Sequence, residues 1–291
     1  MLKKALKTAI KGFKKTRNWL VAYANEDEKT EQIEEENLSL KPYLHSIYLK
    51  IIAEGEIKRS NYAWGVLQSV NLAKNLGINR VSVIEFGVAG GNGLVELEKI
   101  AQQVESILGV GIDVYGFDSG AGLPKPQDYR DLPNLWSEGY FPMEQEKLQK
   151  RLTNARLLIG LVEDTIQKFI ADKPAPVAFI SFDLDLYSST TQAFKLLKAD
   201  QSLLLPRIYC YFDDVLGFTY GDHNGERLAI SEFNEYNNMR KISQIYGLRH
   251  FVPWQFANHW WVDCFYMAHI LDHELYNSND GFLNGITLEL E

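Results

Sequence analysis

The chain of 291 residues is poor in cysteine, in long apolar runs and in net positive charge. Its two cysteines, Cys210 and Cys264, both lie inside apolar runs, which predicts buried free thiols and not a disulfide framework. Free thiols favour a reducing, cytoplasmic compartment. No apolar run approaches about 18 residues, so no transmembrane segment is expected. The formal charge of −8 argues against a nucleic-acid-binding protein, whose surface would be basic.

Charge is distributed unevenly over the first part of the chain. Residues 1–24 are rich in lysine, and their apolar side chains recur at helical spacing: Leu2, Leu6, Ile10 and Phe13. Such a basic amphipathic helix is suited to weak contact with an anionic membrane surface, although packing on its own domain or on a second subunit of a homo-oligomer is the more common use. Residues 25–37 are acidic and predict a solvated linker or helix face. We therefore expect a helical arm over residues 1–60 and one domain over residues 61–291.

From residue 80 onward, β-branched runs alternate with helical patterns, which predicts a doubly wound α/β sheet with parallel strands. The runs that predict strands are "RVSVIEFG", "VGIDVYGFD", "ARLLIG", "PVAFISFDLD" and "RIYCYFDD". Two further runs, "LRHFVPWQFA" and "WWVDCFYMAHI", follow with only a short connection between them. A short connection joins antiparallel strands, so we expect a C-terminal hairpin with one antiparallel strand.

A glycine loop follows the first strand in "VIEFGVAGGNG". Its spacing, Gly-x-x-Gly-Gly-x-Gly, differs from the dinucleotide pattern Gly-x-Gly-x-x-Gly. Open α/β sheets bind ligands at such loops. Glu85 stands two residues before the first glycine, where a carboxylate suits a cationic or zwitterionic ligand better than a phosphate. Asp118 ends the second strand, where it can accept hydrogen bonds from ribose hydroxyls. The combination favours S-adenosylmethionine, which carries an amino group and a ribose but no phosphate.

Two strands end in pairs of acids, Asp183 with Asp185 and Asp213 with Asp214. If the strands are parallel neighbours, the pairs meet at the carboxyl edge of the sheet. Carboxylate oxygens are ligands for Mg²⁺, which would cancel their repulsion and lower the pKa of a substrate hydroxyl. A spare carboxylate could act as general base. Which of Asp183 and Asp185 is ligand and which is base stays open, and Asp185 could instead cap the helix that begins at "SSTT".

Five segments occur in order between residues 80 and 235: "IEFGVAGGNG", "VYGFDSGAGLP", "LIGLVEDTI", "DLDLYSST" and "YFDDV…GERLAISEF". On these segments the chain resembles the class I S-adenosylmethionine-dependent methyltransferases, specifically the macrocin O-methyltransferase-like (TylF-like) group. The resemblance implies a mostly parallel, seven-stranded, Rossmann-like sheet with an antiparallel C-terminal strand. It also implies an O-methyltransferase that acts on a hydroxyl of a small-molecule acceptor, a sugar or a glycosylated natural product. Gly120 and Ala121 depart from the bulky Phe-Glu pair usual in the family.

The resemblance implies a role for individual residues. The methionine part of the cofactor would contact Glu85 and the loop residues Gly87, Val88, Ala89, Gly90 and Gly91. The ribose would contact Asp118 and Ser119. The adenine would lie beside Glu163, Asp164 and Thr165. The magnesium ion would be bound by Asp183 or Asp185 together with Asp213 and Asp214.

Two other functions fit parts of the pattern. The Asp-x-Asp of Asp183 and Asp185 is typical of glycosyltransferases that hold a nucleotide sugar through a metal, but that function leaves Glu85, the glycine loop and the second acid pair unexplained. A non-catalytic binding protein can share the same fold. Binding of S-adenosylhomocysteine would separate the first alternative from a methyltransferase, and divalent-dependent turnover would separate the second from an enzyme.

Several residues outside these motifs are weaker candidates. His223, in "YGDHNGER", is a candidate substrate contact or base, although a histidine in a surface loop is commonly solvated. The other histidines of the second half have no zinc-type spacing and are expected to be structural: His250, His259, His269 and His273. The long segment after the second strand contains Tyr140 and Phe141, which predict either a lid over the substrate or a small local core.

Overall fold

A seven-stranded sheet runs through residues 41–278, the part of the chain that the computed structural model describes. Its strands are β1 Arg80–Phe86, β2 Gly111–Asp118, β3 Arg156–Ile159, β4 Val177–Phe182, β5 Leu204–Phe212, β6 Arg240–Gln244 and β7 Phe265–Ile270. Their order across the sheet is β3-β2-β1-β4-β5-β7-β6. Strands β1 to β5 are parallel, and β7 lies antiparallel between β5 and β6. This is the strand order of the class I methyltransferase fold, so the predicted fold class is confirmed.

Helices cover both faces of the sheet. In chain order they are α1 Lys41–Glu54, α2 Ser60–Asn75, α3 Asn92–Leu108, α4 Gln145–Gln149, α5 Val162–Ala171, α6 Tyr187–Ala193 and α7 Gly225–Tyr236. One face is covered by α2 and α3, with α1 packed against them, and the other by α5, α6 and α7. The loops that follow β1 to β5 therefore emerge together at one edge, between the two helical layers.

The expected C-terminal hairpin is wrong in its first strand. The segment "LRHFVPWQFA" forms a 3₁₀ helix, Leu248–His250, followed by turns, and the strand that pairs with β7 is the earlier β6. Gly247 adopts a left-handed φ of 73°, which starts the turn, and Pro253 has no N–H for a ladder. A second 3₁₀ helix, Trp260–Cys264, occupies the start of the last run, so that β7 begins at Phe265. The antiparallel orientation of the last strand is as predicted.

The predicted arm over residues 1–60 reaches the described residues through α1. This helix buries one side against the core: Leu44, Ile47, Tyr48, Leu49 and Ile51. His45 Nε2 donates a hydrogen bond of 2.7 Å to the Phe251 carbonyl oxygen, which ties α1 to the segment before β7. The basic helix predicted for residues 1–24 and the acidic stretch of residues 25–37 lie outside the described residues, and the domain boundary at residue 60 stays a prediction.

The structure of residues 41–278 bears on the predictions about the cysteines and about membrane-spanning helices. Cys210 and Cys264 are both buried and free, as predicted. Within the described part of the chain, no helix is both long enough and apolar enough to cross a membrane.

Four phenylalanines stand side by side at the carboxyl ends of four neighbouring strands: Phe117, Phe86, Phe182 and Phe212. The centroids of successive rings are 4.7, 5.5 and 4.5 Å apart, and all four rings are fully buried. Phe182 stacks on both neighbours, at interplanar angles of 16° and 7°. This phenylalanine row holds the strand ends at one level, directly before the loops that carry the predicted site residues.

Removal of the central ring is expected to destabilise the fold. Phe182→Ala should lower the free energy of unfolding by about 3–5 kcal/mol, because it leaves a cavity between two stacked rings. Phe218→Ala is the control, since that ring is fully exposed and its loss should change the free energy by about 0.5 kcal/mol at most. Urea unfolding of the two variants measures the difference, and equal stabilities would mean that the row does not stabilise the strand ends.

Candidate active site

A cavity of about 330 Å³ opens at the carboxyl edge of the sheet. Its wall is built from the loops after β1 to β5 and from the long segment after β2: Gly87, Ala89, Asp118, Ser119, Gly122, Leu123, Pro124, Trp136, Tyr140, Phe141, Gly160, Leu161, Val162, Asp183, Leu184, Asp185, Ser189, Asp213 and Asp214. The wall contains five carboxyl groups and no lysine or arginine. It therefore favours a ligand with positive charge over a phosphate.

The glycine loop passes very close to the end of β4. Gly87 has a φ of 83°, and a Cβ on it would lie 1.7 Å from the Asp183 carbonyl oxygen. Asp183 N–H also donates to the Phe86 carbonyl oxygen at 3.0 Å. Only glycine fits this contact without a shift of backbone. The glycine at position 87 is therefore explained by a close backbone contact between the glycine loop and Asp183, the first residue after β4.

Asp118 joins the glycine loop to the loop after β2. Its Oδ2 accepts hydrogen bonds from the N–H groups of Val88 and Ala89, at 2.9 and 2.8 Å, and its Oδ1 accepts one from Gly120 N–H at 2.7 Å. Asp118 lines the cavity, but this carboxylate already shapes two loops before it meets a ligand. A ribose hydroxyl would use the remaining acceptor capacity of Oδ1. Ser119 Oγ donates to the Gly122 carbonyl oxygen at 2.6 Å.

Glu85 lies beneath the loop and does not line the cavity. Its Oε1 accepts a hydrogen bond of 2.7 Å from Tyr62 Oη–H, and Ser181 Oγ donates to Tyr62 Oη at 2.8 Å. Its Oε2 has no hydrogen-bond partner among the described residues. Burial raises the pKa of Glu85 to about 7, against the opposing effects of Arg59 and of the Tyr62 hydrogen bond. Direct contact between Glu85 and a cofactor stays a prediction.

The four strand-end aspartates all line the cavity. Burial, together with repulsion from the neighbouring carboxylates of Asp213 and Asp214, raises the pKa of Asp183 well above its ordinary value and that of Asp185 to about 8. Burial and Asp213 also raise the pKa of Asp214 to about 6. The acids repel one another because no cation of the wall neutralises them.

Two of these aspartates are held by hydrogen bonds within the cluster. Asp214 Oδ1 accepts from Tyr220 Oη–H at 2.9 Å, and its Oδ2 accepts from Asp185 N–H at 3.0 Å. Asp213 Oδ1 accepts from Tyr211 Oη–H at 2.8 Å. Asp185 adopts a left-handed φ of 60°, which is uncommon for a residue other than glycine. Among residues 41–278, no three histidine, cysteine, aspartate or glutamate side chains are grouped to hold one metal ion, so the magnesium ligand set stays a prediction.

Glu226 belongs to the same cluster and was missed by the sequence analysis. It lies in the first turn of α7, is fully buried, and its Oε2 accepts a hydrogen bond of 3.1 Å from Asp214 N–H. Its Oε1 has no partner among the described residues, and burial raises its pKa well above the ordinary value. The quoted segment "GERLAISEF" contains this residue, but an acid in a first helical turn is a common helix feature and gives no sign of burial.

Other predicted contacts lie at the margin of the cavity or outside it. Glu163 and Asp164 are exposed, and Thr165 is buried, with its Oγ1 donating to the Leu161 carbonyl oxygen at 3.0 Å. The wall on this side comes instead from the residues just before them: Gly160, Leu161 and Val162. Of the loop glycines, Gly90 and Gly91 do not line the cavity, and His223 is exposed outside it.

The segment after β2 forms the roof of the cavity through Trp136, Tyr140 and Phe141. Leu123 pairs with it twice, because its N–H donates to the Tyr140 carbonyl oxygen at 2.8 Å and its carbonyl accepts from Gly139 N–H at 2.9 Å. The buried carboxylate of Asp131 accepts from Gln127 N–H and from Ser188 N–H at the start of α6, both at 2.8 Å. Tyr140 and Phe141 are about half exposed, which agrees better with a cavity wall than with a small local core.

Comparisons with known proteins add limited information. No protein-family model matches the chain, and no curated protein matches it. Among solved structures the chain is similar to the calicheamicin methyltransferase CalS11, with 21% identity, a TM-score of 0.47, and coverage of 62% of this chain and 74% of that chain. The chain is also similar to the O-methyltransferase NovP, with 18% identity, a TM-score of 0.46, and coverage of 62% of this chain and 76% of that chain. For an O-methyltransferase from Bacillus cereus in complex with SAH, the identity is 15% and the TM-score 0.37, and the match covers 86% of this chain and 99% of that chain. These identities and TM-scores are low, and the fold class is established by the strand order of the sheet.

The burial of Glu85 predicts a pH dependence of stability that a neutral variant should lack. With a folded-state pKa of about 7, the folded protein retains a proton that the unfolded chain has released above about pH 4.5. Stability should therefore fall as pH rises from about 4.5 to 7, relative to Glu85→Gln, by on the order of 1 kcal/mol per pH unit. Urea unfolding across this range measures the effect.

The control for this experiment is Glu235→Gln, which changes an exposed carboxyl group of α7. Its stability curve should run parallel to that of the wild type. If the Glu85→Gln curve also ran parallel to that of the wild type, Glu85 would be ionised in the folded protein at pH 5. Burial would then not raise its pKa to about 7.

Proposed function

We propose that the chain transfers a methyl group from S-adenosylmethionine to a hydroxyl of a small-molecule acceptor. The observation that carries the proposal is one cavity wall in which the glycine loop and Asp118 face the strand-end aspartates. This arrangement supports a ligand that spans from the loop after β1 to the loop after β2, with its reactive end toward the aspartates. Such a ligand position is the usual one in doubly wound sheets.

The charge of the wall supports this cofactor. S-adenosylmethionine would supply a methyl group on a positively charged sulfonium, which the carboxyl groups attract. A nucleotide sugar, the ligand of the glycosyltransferase alternative, carries a diphosphate that five carboxyl groups would repel, and the wall has no basic side chain to offset them. The unpartnered Oε2 of Glu85 supports an amino group nearby, since a buried carboxylate oxygen without a donor is costly.

The residues of the site supply positioning and a proton acceptor. The carboxylate of Asp185 would take the acceptor hydroxyl's proton as the oxygen forms its bond to the methyl carbon and the carbon–sulfur bond breaks. A carboxyl group with a pKa of about 8 is a stronger base than an ordinary aspartate and matches a working pH near neutrality. Trp136 and Tyr140 would exclude water from above, and Gly87 would let the cofactor approach the backbone.

We assign the chain to the TylF-like group and its acceptor to sugars or glycosylated natural products, with the five quoted segments as support. We also propose that Asp183, Asp213 and Asp214 hold a divalent ion, Mg²⁺. Burial and then mutual repulsion raise the pKa values of Asp183 and Asp185, and a cation would offset the repulsion. Residues 1–24 would serve homo-oligomer formation or weak membrane contact of a cytoplasmic enzyme.

Isothermal calorimetry tests the cofactor. The wild type should bind S-adenosylhomocysteine, and Asp118→Asn should weaken binding about tenfold or more, since it removes a charged acceptor and disturbs two loops. Asp172→Asn is the matched control, because that carboxyl group is exposed just after α5 and does not line the cavity. Binding of a nucleotide sugar with Mn²⁺, and none of S-adenosylhomocysteine, would favour the glycosyltransferase instead.

Methyl-transfer assays against a panel of glycosides test the proton acceptor and the ion together. Asp185→Asn should lower turnover by about 10²- to 10⁴-fold with little change in cofactor affinity, and asparagine tolerates the left-handed backbone at this position. Excess chelator should also lower turnover, and added Mg²⁺ should restore it, at a higher concentration for Asp213→Asn. Full turnover in chelator would contradict the metal and leave the methyltransferase intact.

A further inference from the structure

Arg59 lies immediately before α2, beside the buried network of Glu85. Its Nη1–H donates to Tyr62 Oη at 3.3 Å, and its guanidinium carbon lies 4.9 Å from the centroid of the Tyr62 ring. This is the one hydrogen bond of the Arg59 side chain within the described part of the chain, although a guanidinium carries five N–H groups. A partly buried arginine with most of its donors unused, beside a ligand cavity, is positioned to bind an anion.

The surroundings of Arg59 are acidic. Its charge acts on Glu85, Asp183 and Asp213, and it opposes the rise in the pKa of Glu85 that burial causes. Two of these three, Asp183 and Asp213, line the cavity wall. No carboxylate oxygen of the described residues lies within ion-pair distance of Arg59, so no side chain of residues 41–278 neutralises it directly.

A cation at this place would complement one charge of the proposed cofactor. Its methionine part carries an amino group, a sulfonium and a carboxylate, and the acidic wall suits the first two groups but repels the third. The wall itself has no lysine or arginine to receive a carboxylate. We propose that Arg59 binds the carboxylate of the methionine part of S-adenosylmethionine, an inference that rests on the proposed function.

Tyr62 is the positioning residue for this contact. Its hydroxyl is bonded to three partners, Arg59, Glu85 and Ser181, and its ring is fully buried under the guanidinium. The hydroxyl therefore holds the guanidinium and the Glu85 carboxylate at fixed places on either side, one for a carboxylate and one for an amino group. The guanidinium and the Glu85 carboxylate would together bind the carboxylate and the amino group of a zwitterionic amino acid end.

Calorimetry with two ligands isolates the contact. The ligands are S-adenosylhomocysteine and its decarboxylated analogue, which keeps the adenosine, the thioether and the amino group but has no carboxylate. Arg59→Met should lower the affinity for S-adenosylhomocysteine by about 10- to 100-fold and change the affinity for the analogue by no more than about twofold. Lys58→Met, which removes the adjacent exposed cation, should change neither. Arg59→Lys, which keeps the charge and loses the planar fork, should show a smaller loss confined to S-adenosylhomocysteine.

The outcomes separate this inference from the proposed function. Equal losses for the two ligands in both Arg59 variants, or no loss in either, would overturn the role of Arg59 while leaving a cofactor-binding protein. A wild type that binds neither ligand would overturn the proposed function and this inference with it. Should Arg59→Met fail to fold, as judged by its melting curve, the selective loss in Arg59→Lys decides the question. Tyr62→Phe should lower affinity for S-adenosylhomocysteine more than for the analogue.

Discussion

Mutual repulsion of buried carboxyl groups at one edge of the sheet is the constraint around which the site is built. Five parallel strands end there, and the row of stacked phenylalanines brings four of those ends to one level. Acids that follow the strands then have no room to separate. Hydrogen bonds from Tyr211, Tyr220 and the Asp185 N–H offset part of the cost. Burial, and then the repulsion that remains, still raises the pKa values of Asp185 and Asp214. A positively charged ligand would relieve what is left.

The two faces of the sheet differ near the carboxyl ends of the strands, since one carries the phenylalanine row and the other carries polar side chains. Side chains alternate along a strand, so the residue before each phenylalanine points to the opposite face. There the sheet presents Glu85, Ser181 and Tyr211 in register toward α2. Tyr62 from that helix binds the first two and contacts the ring of the third at 5.9 Å. One layer of the core is therefore apolar and rigid, while the other carries a polar network to the site.

Local patterns in the sequence predicted the parts of this arrangement that depend on neighbours in the chain. Alternation of strand and helix gave the sheet, and the acids that end β4 and β5 were found because a strand end is visible from its own residues. Arg59, Tyr62 and Glu226 were missed, since their roles depend on partners far along the chain, and the contact of Tyr62 with Ser181 spans 119 positions. Strand β6 was missed because Arg240–Gln244 is short and polar, so its pairing with β7 decides its conformation.

Asp118 has a consequence for how this chain can vary. One carboxylate accepts N–H groups from the loop after β1 and from the loop after β2, so these two loops share a single anchor. An insertion or deletion between β1 and Ala89, or between β2 and Gly120, would displace the start of the other loop, although Val88 and Asp118 are thirty residues apart along the chain. Surface loops usually tolerate changes of length. Here the first residues of the two loops should keep their lengths together, and engineering of specificity has more freedom further along, in the roof segment, than in the floor of the cavity.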